Sequence, residues 1–242
     1  MNYSPVSLSG RSRPAVYCDF DGTIALEDVT DAILSNLADK EWLGIEEEWV
    51  RGEITSKECM VRQVALIKGG WGAIKRVLGE IRLDPTFGTF ASWCKDNGIP
   101  LMVVSDGLDR VIQYLLWREE IPVDGIWANH LNCEGERLSL ASPRLADRKC
   151  ESGVCKCRVM AKTSDSAACR VVIGDGKSDF CWAKKADMVF AKSKLLEYCA
   201  VQGIPHLPFH DFDAIRQTLE VKFEMTPVMQ EQYQPGLMNY AM

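Results

Sequence analysis

Short apolar runs alternate with amphipathic stretches along most of this chain. Ala15-Val16-Tyr17-Cys18, Leu101-Met102-Val103-Val104, Val171-Val172-Ile173 and Met188-Val189-Phe190-Ala191 carry apolar residues at every position rather than every second one. Such runs, bounded by turn residues, predict strands buried on both faces. Between them the spacing lengthens to three and four: Phe90, Trp93 and Cys94 before Asn97-Gly98, then Leu108 to Trp117, each predicting a helix. Strands separated by helices imply an α/β fold with a mainly parallel sheet and helices on both faces.

One segment departs from this alternation. From Val29 to Asp84 only helical spacings appear, through Ile33, Leu34 and Leu37, then Val61, Val64, Ala65, Leu66 and Ile67. This predicts a helical insertion over 29–84 after the first strand, with 1–28 and 85–242 as the core. Alternation around Cys133-Glu134-Gly135-Glu136 predicts a hairpin between Ile126 and Ala141. Residues 226–242, rich in Gln, Pro and Met, read as a tail.

Charged residues cluster where the apolar runs stop. The first run ends in Asp19-Phe20-Asp21-Gly22-Thr23, the second in Ser105-Asp106-Gly107, and the third in Gly174-Asp175-Gly176, with Ser178-Asp179 beyond; Lys156 lies between the last two. Open α/β sheets bind ligands at the carboxyl ends of their strands. A carboxylate nucleophile facing a phosphate monoester needs cations and fixed donors to offset repulsion. Each residue then has a role. Asp19 attacks phosphorus, and Asp21 protonates the leaving alcohol and later activates water. Ser105, Asp106 and Lys156 bind the phosphoryl group. Asp19, Asp175 and the backbone carbonyl of Asp21 hold Mg2+, which favours oxygen ligands, while Asp179 reaches back to the metal's waters or braces Lys156.

In that order, these four pieces resemble the haloacid dehalogenase superfamily of phosphatases, whose pattern is DxDGT, a strand-terminal Ser, a Lys and GDGxSD. The resemblance implies a Rossmann-like core, magnesium and an aspartyl-phosphate. The helical insertion is similar to the small cap of the phosphoserine-phosphatase-like branch. A nearer resemblance, to the methionine-salvage phosphatases acting on 2-hydroxy-3-keto-5-methylthiopentenyl-1-phosphate, rests on Cys150-x4-Cys155-Lys156-Cys157, on the stretch from Ser56 through Arg62 to Leu66, and on His206-Leu207-Pro208-Phe209 with Asp211-Phe212. Phosphoserine phosphatase is the alternative. There, a glutamate nine residues past the nucleophile and a cap arginine contact the amino acid; the matching positions here are Asp28 and Gln63, beside Arg62. Asp28 and Arg62 are therefore the expected specificity residues.

Composition narrows the classes. A net charge of -6 gives no basic field for nucleic acid, and no apolar run approaches the length of a membrane span. The ten cysteines, with no secretory-type apolar segment in Met1 to Pro14, read as reduced thiols of a cytoplasmic protein. Cys18, Cys94, Cys169 and Cys181 belong to apolar segments as small core residues. Cys150, Cys155 and Cys157 lack the paired CxxC spacing of common zinc sites. Lys177 reads as a solvated charge, and Ser105 fits a helix cap ahead of Leu108 as well as a phosphate contact. Two readings of another class remain open: a phosphoryl-accepting regulatory protein, and a catalytically silent binding protein on the same scaffold.

Overall fold

A computed structural model describes residues 13–141, 152–166 and 168–225. Strands β1 (Pro14–Cys18), β2 (Leu101–Leu108), β3 (Gly125–Glu134), β4 (Arg137–Ala141), β5 (Cys169–Gly174), β6 (Met188–Ala191) and β7 (Leu207–Pro208) form one sheet in the order β4-β3-β2-β1-β5-β6-β7. Every neighbouring pair is parallel except β3 and β4, the expected hairpin. The chain adds strands to one side of β1, then crosses to the other, so the strand order reverses at β1. A crevice opens at such a reversal because the two sets of connections leave in opposite directions.

All five residues of β1 are buried. Val16 and Cys18 face the larger apolar cluster, and Ala15 and Tyr17 the other, which accounts for an apolar run without alternation. Cys18 sits level with Val103 of β2 and Ile173 of β5. Asp19 is thus one residue past that level, and Ser105 and Asp175 two residues past it. Parallel register alone brings three motifs to one sheet edge.

Between β1 and β2 lie α1 (Val29–Leu37), α2 (Glu41–Val50), α3 (Ser56–Val64), α4 (Gly70–Leu78) and α5 (Phe87–Asp96). The entry and exit of the inserted helices are tied together, Leu26 N donating to Arg82 O at 3.0 Å and Asp84 N to Ile24 O at 2.8 Å. Ile33, Leu34, Ile74 and Leu78 belong to the same apolar cluster as Val16 and Val103. The insertion therefore shares the sheet's core. It also meets the hairpin: a Cβ on Gly70 would lie 2.6 Å from Gly135 O.

The remaining helices are α6 (Asp109–Arg118), α7 (Lys156–Thr163), α8 (Phe180–Ala183), α9 (Ser193–Gln202) and α10 (Phe212–Lys222). Val159 and Met160 of α7 and Trp182 of α8 pack on Tyr17 and Val172, which seats Lys156 under the end of β1. The expected tail, 226–242, lies outside the described residues. No helix among those described is long and apolar enough to cross a membrane.

Candidate active site

At the end of β1 the Asp19 carboxylate is buried, and Lys156 Nζ lies 2.7 Å from its Oδ2. The same ammonium donates to Asp179 Oδ1 at 2.8 Å. Lys156 is 1% exposed and Asp179 0%, so three charges sit out of water together. An isolated buried ion is costly, whereas a paired and hydrogen-bonded one is tolerated. Asp179 Oδ2 is satisfied by the backbone N–H groups of Asp175 at 3.1 Å and Gly176 at 3.0 Å. The Lys156 ammonium also stands 5.0 Å above the Trp182 ring, which adds a cation–π attraction.

The charges do not cancel. Burial and the neighbouring Asp179 push the Asp19 carboxyl well above the usual carboxylate range, against the pull of Lys156. Burial lowers the Lys156 ammonium, but Asp179, Asp19 and Asp106 outweigh it and hold the lysine charged. Burial raises Asp175 as well, partly offset by the Thr23 hydroxyl, which donates to Asp175 Oδ1 at 2.8 Å. One oxygen from each of Asp19, Asp175 and Asp179 falls within 4.8 Å of the others. An excess of negative charge on hard oxygen donors fits a small divalent cation such as Mg2+.

Glycines make this density of carboxylates possible. Gly22 has φ +68°, a left-handed conformation that other residues adopt at a cost, and a Cβ there would lie 2.7 Å from Asp175 Oδ2. A Cβ on Gly174 would collide with the Asp179 carboxylate, and one on Gly107 would lie 2.7 Å from Asp21 Oδ2.

Asp21 is held differently from Asp19. Its Oδ2 accepts from Ser105 Oγ at 3.1 Å, and its Oδ1 from Val29 N, the first residue of α1, at 2.9 Å. Burial, with the Asp28 charge next in effect, pushes its carboxyl up to about 7. Ser105 Oγ accepts from Gly107 N at 2.8 Å within β2. It does not cap α6, whose first turn has no side-chain cap; β2 continues past Val104 to Leu108, carrying Ser105 as part of the strand. The Asp106 carboxylate accepts from Val154 N at 2.8 Å and so braces the approach to Lys156.

In the inserted helices, Asp28 caps α1 by accepting from Asp31 N at 2.9 Å. Burial raises its carboxyl, with Glu46 adding to the effect. Arg62 makes a bidentate bridge to Glu48 of α2, its side chain 39% exposed. Its charge is engaged within the insertion, tying α3 to α2, rather than with the site carboxylates. Its neighbour Gln63 is 2% exposed and donates to Glu46 Oε2 at 2.9 Å. Lys177 is exposed, as a solvated charge should be, and its ammonium also stands 5.8 Å over the Trp49 ring of α2, which links the Asp175 loop to the insertion.

A family model described as haloacid dehalogenase-like hydrolase matches residues 16–184, which span every one of these motif residues. The chain belongs to the haloacid dehalogenase-like hydrolases. The 2-hydroxy-3-keto-5-methylthiopentenyl-1-phosphate phosphatase of Bacillus velezensis is 30% identical to this hydrolase over 214 residues, 86% of this chain and 90% of that protein. The Geobacillus kaustophilus protein of the same name is 32% identical over 209 residues, 85% of this chain and 94% of its own. Among solved structures, a substrate-bound phosphoserine phosphatase superposes with a TM-score of 0.66 at 17% identity, covering 85% of this chain and 98% of that one. At that identity the likeness speaks for the fold. The family and the phosphatase names of its relatives bear out the expectation of a phosphoric monoester hydrolase.

Several residues of the hydrolase's site escaped the sequence reading. Trp182 and Trp49 belong to no motif, and nothing in their spacing marks the lysine each one faces. Asn129 of β3, which donates to the Asp106 carbonyl, carries no motif at all. Thr23 could have been found, since it stands in the first motif directly after the left-handed Gly22. Cys150 lies outside the described residues.

Proposed function

We propose that this hydrolase is a magnesium-dependent phosphatase that cleaves a small phosphomonoester through an aspartyl-phosphate. Its proposed substrate is 2-hydroxy-3-keto-5-methylthiopentenyl-1-phosphate or a related sugar-like phosphate. The observation that carries this reading is the buried Asp19 carboxylate held on Lys156, with Asp21 two residues on and bonded to Ser105.

In this mechanism a carboxylate oxygen of Asp19 bonds to phosphorus as the bond to the substrate oxygen breaks, and Asp21 gives its proton to that oxygen. Asp21 then takes a proton from water, whose oxygen attacks phosphorus; the bond to Asp19 breaks and inorganic phosphate leaves. Ser105, the Asp106 N–H and Lys156 hold the phosphoryl oxygens. Asp19, Asp175 and the backbone carbonyl of Asp21 would hold Mg2+, which supplies positive charge against those oxygens. Asp179 keeps Lys156 in place. A switch protein needs to retain its phosphate; a carboxylate at Asp21 works against that by activating water.

The inserted helices act as a cap that selects the leaving group, and we assign that discrimination first to Asp28. Gln63 supports a leaving group without a carboxylate, because it carries no charge and its amide is already given to Glu46. A cytoplasmic location accompanies this substrate class.

The decisive measurement is hydrolysis of a panel holding phosphoserine, sugar phosphates and the methionine-salvage phosphate, with magnesium and after chelation. The methionine-salvage or a sugar-like phosphate should give the highest kcat/KM, and EDTA should abolish turnover of all. Full activity after rigorous chelation refutes the metal role; preference for phosphoserine refutes the substrate assignment.

Substitutions in the cap separate its residues. Asp28→Asn should lower kcat/KM for the preferred substrate by roughly 5- to 150-fold, the cost of about 1 to 3 kcal/mol for a hydrogen bond left unmade, and spare p-nitrophenyl phosphate. Arg62→Ala, which removes only a partly exposed and solvent-screened ion pair, should change either substrate by less than roughly fivefold. A larger and selective loss in Arg62→Ala would return that residue to direct substrate contact.

A further inference from the structure

Outside the carboxylate cluster, two of the described thiols flank Lys156, with Cys181 also within electrostatic reach of the nearby Lys185. Cys155 and Cys157 are thiols whose Sγ atoms lie 3.5 Å apart. Cys157, at the amino end of α7, is half-buried, and the exposed Lys185 donates to its Sγ at 3.4 Å. Cysteines that react with oxidants sit in electropositive, partly exposed surroundings. Cys157 has both features, and Cys155 is placed beside it as a second thiol.

We propose that Cys155 and Cys157 form a peroxide-oxidised dithiol that closes a disulfide across Lys156 and turns the hydrolase off. The oxidant is a hydroperoxide. The Cys157 thiolate attacks the outer peroxide oxygen, the O–O bond breaks, and the other oxygen leaves as an alcohol, or as water from hydrogen peroxide, after taking a proton. Cys157 is now a sulfenic acid. The Cys155 sulfur, losing its proton, attacks the Cys157 sulfur and releases the hydroxyl group as water. Two thiols lose two electrons, and the peroxide gains them.

The consequence follows from geometry. A disulfide needs its sulfurs about 2.05 Å apart, roughly 1.5 Å closer than the thiols are. Lys156 is the middle residue of the ring so formed. Closing that gap pulls on the first turn of α7, where the Arg158 and Val159 amides donate to Cys155 O at 3.0 Å. Lys156 Nζ then leaves its 2.7 and 2.8 Å contacts with Asp19 and Asp179. A misplacement of about 1 Å in a catalytic group costs on the order of 100-fold in rate.

The inhibition rests on the proposed phosphatase activity, whereas the disulfide does not, so the two are read separately. The full-length protein is treated with hydrogen peroxide, alkylated and mapped by mass spectrometry, with p-nitrophenyl phosphate hydrolysis followed in parallel. A Cys155–Cys157 link that forms as activity falls by about tenfold or more, with both reversed by dithiothreitol, supports the proposal. Cys157→Ser should keep its basal activity and lose its sensitivity. Lys185→Met, which leaves both thiols in place, should slow alkylation of Cys157 in the reduced protein. Linkage of either cysteine to a different one, a disulfide without loss of activity, or unchanged peroxide sensitivity in Cys157→Ser overturns it. An absent disulfide in a protein that hydrolyses phosphate esters condemns this inference alone; absent hydrolysis in the reduced protein condemns the phosphatase reading instead.

Discussion

Asp19→Asn is expected to fold and to lose turnover by roughly 10⁴-fold or more, the scale on which removing a covalent nucleophile acts. The amide has nearly the volume of the carboxylate and can accept from Lys156, but its oxygen does not form a stable bond to phosphorus. Its effect on stability is small because two changes oppose each other. One partner of Lys156 is weakened, yet a buried negative charge is removed from beside Asp179, whose repulsion helps to push the Asp19 carboxyl up. Urea unfolding should therefore give a midpoint close to that of the unsubstituted protein. Acid quench of the unsubstituted enzyme with a labelled substrate should trap phosphate on Asp19 and nowhere else. Substantial hydrolysis by folded Asp19→Asn would refute the nucleophile.

Lys156→Met should damage both the fold and the chemistry. The substitution keeps the length of the side chain but leaves Asp19 and Asp179 facing each other, buried, without the ammonium between them. Breaking a buried ion pair in this way costs about 3 to 5 kcal/mol, a large part of a domain's stability. The two losses can be separated. Adding Asp179→Asn removes one of the stranded charges and should recover part of the stability, without restoring turnover, because the phosphoryl oxygens still lack their cation. Denaturant midpoints and kcat measured on the single and double variants test this. If the double variant is no more stable than Lys156→Met, charge pairing is not what Lys156 contributes to the fold.

The sequence reading was most complete where the physics is local. β1, β6, α5 and α6 follow from apolar runs and helical spacing within ten residues or so, and each lies where the pattern placed it. It was weaker at the periphery. β7 is two residues long and α9 has only a weak period, so a short window does not distinguish them, whereas α10 shows a helical signal that was passed over, Asp211 as its cap and Phe212, Ile215 and Leu219 at spacings of three and four. α10 is held by tertiary contacts: Phe212 meets Phe87 at a ring distance of 4.8 Å, and its backbone N–H donates to the Thr86 hydroxyl. The boundary drawn at 29 and 84 marks a change of spacing, while the apolar cluster runs across it, since burial is shared among whatever surfaces meet in space.

Two side chains show the same limit within the site. Arg62 and Lys177 have the composition of solvated or ligand-binding residues, and only the packing of α2 decides that the first meets Glu48 and the second Trp49. By itself the sequence determined that carboxylates stand at the ends of buried strands, because a run of apolar residues and the turn that ends it are read from adjacent positions. Only the tertiary structure decided which charge answers which. Thr23 reaches Asp175 across 152 residues and Lys156 reaches Asp179 across 23. Those pairings depend on the register of parallel strands and on how α7 and α8 pack beneath them, and electrostatic energy follows distance in space rather than distance along the chain.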